Sequence, residues 1–363
     1  MQVIKAKLKK LPVEYLWDGL VLTDDLYNHD GNVLLIPSGE EITQKKLGRL
    51  LKFDSDSKHI MVYEESYYKI LAKGKIPHEV HQKMTEDETG YTEIKKDIGY
   101  VLHKASTEEK IQSEEVEPVI HDISQRLEVV DPTVIFECIN FPRPMDEYLQ
   151  RHSLNVAFLN GLMGEWLKLP KEDVRTLVMA GLLHDVGKTK IPVEILDAPR
   201  KLTDEEFKII RSHPVYSYEL LGTDFDERVK FAARHHHEKI DGSGYPDGIE
   251  EEEISLFAKI TAVSDIYDAM VSKRCYKEEK LPFDVLDNFY NGEYDGLDMD
   301  LVMVLIKNMR EHFLDKKVLM SNGNFGTIKY IPPNDIAHPV IQSGKIIKQT
   351  DERWFCEKLI STY

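Results

Sequence analysis

The sequence predicts a mainly α-helical protein with a small β-containing unit at its start and a short β-rich tail. Three observations carry this reading. Apolar residues such as Ile120, Ile123, Leu127 and Val130 recur at helical spacing through the middle of the chain. Two apolar runs, residues 19–23 and 33–37, flank an Asp30-Gly31 turn, the pattern of a hairpin. Past residue 320, a Ser321-Asn322-Gly323-Asn324 turn cluster leads into short strand-like runs beginning at 326–331.

In chain order, residues 1–65 read as a small β-rich unit of unknown role, with a helical piece over 43–52. Residues 66–140 read as a helical connector or regulatory segment, and the Glu- and Lys-rich stretch 84–117 reads as a solvated helix or exposed connector. Pro142 and Pro144 mark the next boundary, and 141–320 read as successive helices, the segment that holds the ordered histidines. Thr203-Asp204-Glu205-Glu206 is a capping box opening one of these helices. Ala258, Ala262, Asp265 and Ala269 share one face of another. Residues 321–363 form the tail, expected to close against the N-terminal unit because a small β-element needs a partner to bury its face.

Composition narrows the function. A chain of 363 residues with 42% hydrophobic and 31% charged residues is globular. No apolar run reaches the ~18 residues of a membrane span, and no apolar segment of a secretory signal follows the basic N-terminus. Three scattered cysteines, Cys138, Cys275 and Cys356, suit a reducing cytoplasm. A formal net charge of −17 argues against a nucleic-acid polymer or an anionic membrane as partner. It leaves room for a small phosphate substrate, whose local field a metal cluster and a few basic side chains can set.

The chemistry lies in ordered histidines. His184-Asp185 closes an apolar helical run, with Lys188 one turn beyond His184 on nearly the same helical face. An imidazole beside a carboxylate can bind metal with both, and the carboxylate can bridge two ions about 3.5–4 Å apart. His235, His236 and His237 are consecutive, so two can converge on one ion while the third points away. The glycine-rich loop 241–248 follows, holding one aromatic, Tyr245. Each feature alone is as well explained by a solvated helix end or an ordinary turn.

Together they are specific. His152, His184-Asp185-Val186-Gly187-Lys188, His213-Pro214, His236-His237-Glu238-Lys239-Ile240-Asp241-Gly242-Ser243-Gly244-Tyr245-Pro246 and Asp265-Ile266-Tyr267-Asp268-Ala269 closely resemble the motifs of the HD-GYP family. This family is a subgroup of the HD metal-dependent phosphohydrolases. The resemblance covers about residues 145–280 and implies a helical HD-type bundle around a binuclear metal centre. It implies His152, His184, Asp185, His213, His236, His237 and Asp265 as metal ligands, with Asp185 bridging. Nitrogen and carboxylate donors suit Fe, Mn, Co, Ni or Zn, and in this family two ions of Fe or Mn are expected. Asp185 and Lys188 would serve catalysis, and Gly244, Tyr245, Arg274 and Lys277 would contact the substrate.

The implied reaction is hydrolysis of cyclic di-GMP to pGpG, with onward hydrolysis to GMP in some members. A hydroxide bridging the two ions would attack phosphorus. Two alternatives stay open: a cyclic-dinucleotide receptor with little turnover, and a phosphodiesterase for another cyclic dinucleotide such as 3′,3′-cyclic GMP-AMP. A homodimer is compatible with a signalling hydrolase, but no residue pattern specifies one. Members with a third metal carry a Glu one turn before the first His, where this chain has Tyr148, so two ions are expected. Ser217 and Glu251 stand where relatives commonly have Gly, and Cys275 where they have Pro. The glutamate run 250–253 reads as a solvated face. Glu238, Asp241 and Asp268 are read as supports for the ligands or the loop.

Overall fold

The computed structural model describes residues 8–12, 16–27, 33–43, 46, 59–63, 66–67, 70, 78–140, 148–196, 198, 200–271 and 282–360. Strands β1 (Leu8–Pro12), β2 (Leu26–Tyr27), β3 (Leu34–Ile36) and β4 (His59–Tyr63) open the chain. β1 pairs antiparallel with β4, and β2 with β3. Residues 33–37 therefore do form one arm of a hairpin, but its partner is 26–27 and not 19–23. Val21 and Leu22 instead bridge to Glu41 and Val62. Leu20, Leu22, Ile36, Ile42 and Val62 are fully buried in a cluster of their own. The Asp30-Gly31 turn and nearly all of the expected helix at 43–52 lie outside the described residues.

Four helices follow: α1 (His78–Thr89), α2 (Tyr91–Thr107), α3 (Ser113–Val129) and α4 (Pro132–Asn140). The charge-rich stretch 84–117 is no exposed connector. α2 buries Tyr91, Ile94, Ile98, Val101, Leu102 and Ala105 along one face while its charges stay outside. Each fully buried aliphatic side chain contributes about 1.5–3 kcal/mol, ample to seat a helix whose other face is polar. α3 buries Ile120, Ile123 and Leu127, the stripe read from its spacing.

The helices that carry the histidines come next: α5 (Tyr148–Trp166) and α6 (Lys171–Leu183), a 3-10 turn (Val186–Lys190) and the short α7 (Val193–Leu196). Then come α8 (Asp204–Ile210), α9 (His213–Leu220), α10 (Glu227–His235) and α11 (Leu256–Val271). Thr203 caps α8 in the expected box with Glu206. α12 (Pro282–Tyr290) and α13 (Met299–Phe313) complete the helical core. Among the described residues no helix is long and apolar enough to cross a membrane.

Strands β5 (Lys317–Met320), β6 (Phe325–Tyr330), β7 (Val340–Ser343), β8 (Ile346–Gln349) and β9 (Cys356–Ile360) make an antiparallel sheet in the order β8-β7-β6-β5-β9. The turn 321–324 joins β5 to β6, as its composition predicts. Among the described residues, the tail packs on the helices and not on the N-terminal unit, contrary to the expected closure. Val318, Met320, Ile328, Ile341 and Trp354 belong to the helical core, not to the N-terminal cluster. Polar ties fix the sheet there: Lys316 donates to Glu137 at 2.8 Å, Arg310 to the Ile331 carbonyl, and the Ile336 amide to Asp287.

α5 and α6 pack closely because Gly181 has no side chain. A Cβ there would lie 2.7 Å from the Val156 carbonyl oxygen and 2.8 Å from the Ala157 Cα. Gly181→Ala is expected to destabilise the fold by about 1–3 kcal/mol, the cost of overpacking a filled interface. Urea unfolding followed by circular dichroism reads this as a lower midpoint. An unchanged midpoint would mean that the two helices part at little cost.

Candidate metal centre

α6 ends at Leu183, and the chain turns at His184 and Asp185 into the 3-10 segment. The expected continuous His184–Lys188 face is therefore absent. The break turns Asp185 inward, and Lys188, three residues on, folds back so that its Nζ donates to Asp185 Oδ2. Two further features lock this segment. Gly187 donates to Ser217 Oγ at 2.8 Å, and that hydroxyl donates to the His184 carbonyl at 2.7 Å. A Cβ on Gly187 would lie 2.1 Å from the His213 carbonyl oxygen. Ser217, a departure from the family pattern, is thus the clasp between α9 and the end of α6.

The Asp185 carboxylate faces two groups of donors. Oδ2 lies 3.4 Å from Nε2 of both His152 and His184. Oδ1 lies 3.1 Å from His213 Nε2 and 3.7 Å from His236 Nε2. Asp265 Oδ1 stands 2.9 Å from His152 Nε2, and Asp265 Oδ2 3.9 Å from His237 Nδ1. Donor atoms of Asp185, His213, His236 and His237 lie within 4.8 Å of one another, as do those of His152, His184 and Asp185. The seven residues expected as ligands from the sequence thus lie in one cluster.

Their tautomers are set from outside. His184 Nδ1–H donates to the Gly181 carbonyl at 2.7 Å, His213 Nδ1–H to Ile210 at 2.7 Å, and His236 Nδ1–H to Ala233 at 3.0 Å. His152 Nδ1 meets Asp268 Oδ2 at 2.7 Å. Each Nε2 is left to face the cluster. His152 and His184 bring their Nε2 atoms to 3.3 Å, and His213 and His236 to 3.4 Å. Between His213 and His236, whose Nδ1 protons both go to outside carbonyls, the facing Nε2 lone pairs repel unless a cation lies between them. Asp185 Oδ1 is buried with no hydrogen-bond donor, which is the same demand from the acid side. This donor set fits divalent transition ions.

The electrostatics agree. Burial opposes ionisation of Asp185, but Lys188 and His184 outweigh it and hold its pKa well below the usual carboxylate range. Burial also opposes ionisation of Asp265, and His152 overcomes it. Burial pushes His236 down to about 4, and burial with the neighbouring His236 holds His237 well below the ordinary imidazole value. Both imidazoles are neutral at neutral pH, the form that can coordinate an ion. His152 goes the other way: burial lowers its pKa, but hydrogen bonds to Asp185, Asp265 and Asp268 hold it well above the ordinary imidazole value.

A second layer supports the first. Asp268 Oδ1 accepts from Asn155 at 2.7 Å, and Asn155 Oδ1 accepts from the Tyr91 hydroxyl at 2.8 Å. Tyr91 and Asn155 belong to no motif, and only their burial beside the cluster reveals them. The Tyr148 ring stacks on His152 with centroids 5.4 Å apart.

At the loop, Glu238 Oε1 accepts from the Asp247 and Gly248 amides, and Asp241 Oδ1 from the Ser243 amide and hydroxyl. Gly244 lies so close to the preceding backbone that a Cβ would meet Glu238 Cα at 2.4 Å. Tyr245 stacks on His237, with centroids 4.7 Å apart. His235 turns away and meets Asp247 at 2.9 Å. Glu250, Glu251, Glu252 and Glu253 are exposed. His237 is 23% exposed while His184 and Asp185 are fully buried, so the cluster opens on the His237–Tyr245 side. Arg274 and Lys277, expected at the substrate, lie outside the described residues, as does Cys275.

Residues 143–296 match the HD domain family model. Over this segment the chain is similar to HD domains, in keeping with the resemblance carried by its ordered histidines. Half of the chain is similar to the cyclic di-GMP phosphodiesterase PA4108 of Pseudomonas aeruginosa, with 42% identity over 44% of that protein. A match of 35% identity over 43% of the chain links it to the 3′3′-cGAMP-specific phosphodiesterase 3 of Vibrio cholerae, covering 37% of that protein. The chain thus spans less than half the length of these relatives. The HD-GYP protein Bd1817 from Bdellovibrio bacteriovorus shares the fold, with a TM-score of 0.51 at 15% identity over 84% of this chain and 99% of that one.

Two outcomes are expected. Asp268→Asn keeps the shape but weakens the acceptor behind His152. Mn(II) affinity should fall about tenfold to a hundredfold, the usual effect of losing such a support, in a calorimetric titration. His152 must shed its proton to bind an ion, so uptake should release protons and apparent affinity should rise from pH 6 to 8. Calorimetry in buffers of different ionisation enthalpy reads this directly. A pH-independent affinity would contradict the assignment of His152.

Proposed function

We propose that this chain is a metal-dependent phosphodiesterase that hydrolyses a cyclic dinucleotide, cyclic di-GMP in the first instance, to the linear pGpG in the cytoplasm. The observation that carries the reading is the Asp185 carboxylate, whose two oxygens serve two groups of tautomer-fixed histidines. His152, His184, Asp185 and Asp265 would hold one ion, and Asp185, His213, His236 and His237 the other, with Fe or Mn as the expected metals. Bound there, two divalent ions supply Lewis acidity toward the phosphate and activation of water at neutral pH.

The chain's own residues do the rest. Lys188 holds its ammonium against Asp185 on the side of the cluster, where it can meet charge gathering on a phosphoryl oxygen. Tyr245 borders the open side, and the Glu238 and Asp241 hydrogen bonds keep its loop in place. Arg274 and Lys277 are proposed as further substrate contacts. Tyr148 occupies the place of a third-metal Glu and is packed on His152, which supports two ions and, with them, pGpG as the product. The similarity to a 3′3′-cGAMP-specific enzyme favours that dinucleotide as the second substrate to test.

The test is anaerobic reconstitution with Fe(II) or Mn(II), with cyclic di-GMP followed by chromatography. Conversion to pGpG that a chelator abolishes is expected, with two ions per chain by elemental analysis. Asp185→Ala should lose metal and turnover together. Lys188→Ala should keep the metal and lose about 10²–10³ in kcat, the usual effect of one charge-stabilising donor. Binding without cleavage by metal-loaded protein would replace the enzyme reading with a receptor, and full activity in Asp185→Ala would refute the cluster assignment.

A further inference from the structure

Arg211 caps the C-terminal end of α8, two residues before His213. It belongs to no motif read from the sequence. Its guanidinium carbon lies 4.3 Å from the centroid of the Tyr245 ring, the ring that also stacks on His237. The arginine is half-buried. Arg175, Arg200, Arg228 and Arg234 each pair with a carboxylate, whereas Arg211 has no carboxylate partner among the described residues. In a chain with 64 acidic and 47 basic residues, an arginine with no carboxylate partner beside the open side of the His/Asp cluster calls for a reason.

The geometry supplies one. A guanidinium lying over an aromatic face is held by the ring while its N–H edge stays available, the arrangement that lets arginine take a phosphate with two parallel hydrogen bonds. Tyr245 suits this platform role. Its ring is held in place by the stack on His237. The position also matters. Arg211 and His237 both pack against the Tyr245 ring, so the guanidinium stands beside the expected ligands without being one of them. A cyclic dinucleotide carries two phosphodiesters. When one lies at the ligands, the other projects away from them.

We propose that Arg211, seated on Tyr245, binds the second, non-reacting phosphodiester of a cyclic dinucleotide and so favours cyclic dinucleotides over substrates with a single phosphodiester. This deepens the phosphodiesterase reading and rests on it.

The test compares metal-loaded wild type with Arg211→Gln, Arg211→Lys and Tyr245→Leu. Each is assayed on cyclic di-GMP and on bis(p-nitrophenyl) phosphate, which has one phosphodiester. Arg211→Gln is expected to raise KM for cyclic di-GMP at least tenfold with a much smaller change in kcat, as for loss of a charge-assisted pair. The ratio of kcat/KM between the two substrates should fall by the same factor. Arg211→Lys should recover part of the loss, and Tyr245→Leu should reproduce it by removing the platform. An equal loss on both substrates, or a KM for cyclic di-GMP within twofold of wild type, would overturn the proposal while leaving the phosphodiesterase reading intact. Should wild type bind cyclic di-GMP without cleaving it, that reading fails, and calorimetry of Arg211→Gln still decides: an unchanged Kd overturns the proposal. Neither binding nor cleavage of any cyclic dinucleotide by wild type overturns both.

Discussion

A fully buried carboxylate that two groups of imidazoles face is the constraint on which the rest of the structure depends. Asp185 has no exposed surface, one oxygen with no donor, and four Nε2 atoms within 3.7 Å of its two oxygens. An uncompensated charge at such depth is costly, and a partner of opposite sign is the usual remedy. Lys188 supplies one positive charge. The facing Nε2 atoms of His213 and His236 call for more, because both rings already donate their Nδ1 proton to an outside carbonyl. The interior is built for cations that the polypeptide does not itself contain.

One backbone device orients three of the four Nε2 atoms that face Asp185. The last carbonyls of a helix have no amide partner within it. Gly181 lies in the last turn of α6, Ile210 ends α8, and Ala233 lies in the last turn of α10. His184, His213 and His236 each follow three residues later and donate Nδ1–H to that carbonyl. A helix end with an orphan acceptor is thereby joined to a ligand that needs its tautomer fixed, and each satisfies the other. His152 sits inside α5, where no carbonyl is free, and takes Asp268 instead. This difference explains why a carboxylate–histidine pair stands behind one ligand alone of the four. It also explains why the strongest upward pull on an imidazole pKa is at His152.

Much of the centre was legible in the sequence because ligands need particular residue types in a fixed order. His236 and His237 converge and His235 turns away, as consecutive residues leaving a helix must. What sequence obscured was of two kinds. Helix continuity was read past its end at Leu183, so Lys188 was placed with His184 when the break pairs it with Asp185. Composition masked amphipathicity in α2, where a run of Glu and Lys hides the stripe from Tyr91 to Ala105. Long-range pairing was invisible altogether. Nothing local in residues 8–12 announces 59–63 as a partner, and nothing in the tail says that helices, not the N-terminal strands, will cover it. Asn155 and Tyr91 carry no motif because hydrogen-bond supports can be met by many residue types, while ligands cannot.

These supports have a consequence for where the working unit begins. The HD match starts at residue 143, yet the packing around the ligands does not. α2 reaches the centre at both of its ends. Near its start, Tyr91 donates to Asn155 and so stands behind Asp268 and His152. At its other end, Lys190, from the turn that holds Lys188, donates to the Ser106 and Glu108 carbonyls. The chain then pairs Ile111 with Leu221 and ties Ser113 to Asp224, between the helices bearing His213 and His236. The segment 91–113 thus touches the supports of both ligand groups that Asp185 joins. A displacement of α2 would shift both groups together, while a change confined to the loop around Tyr245 would alter the open side alone.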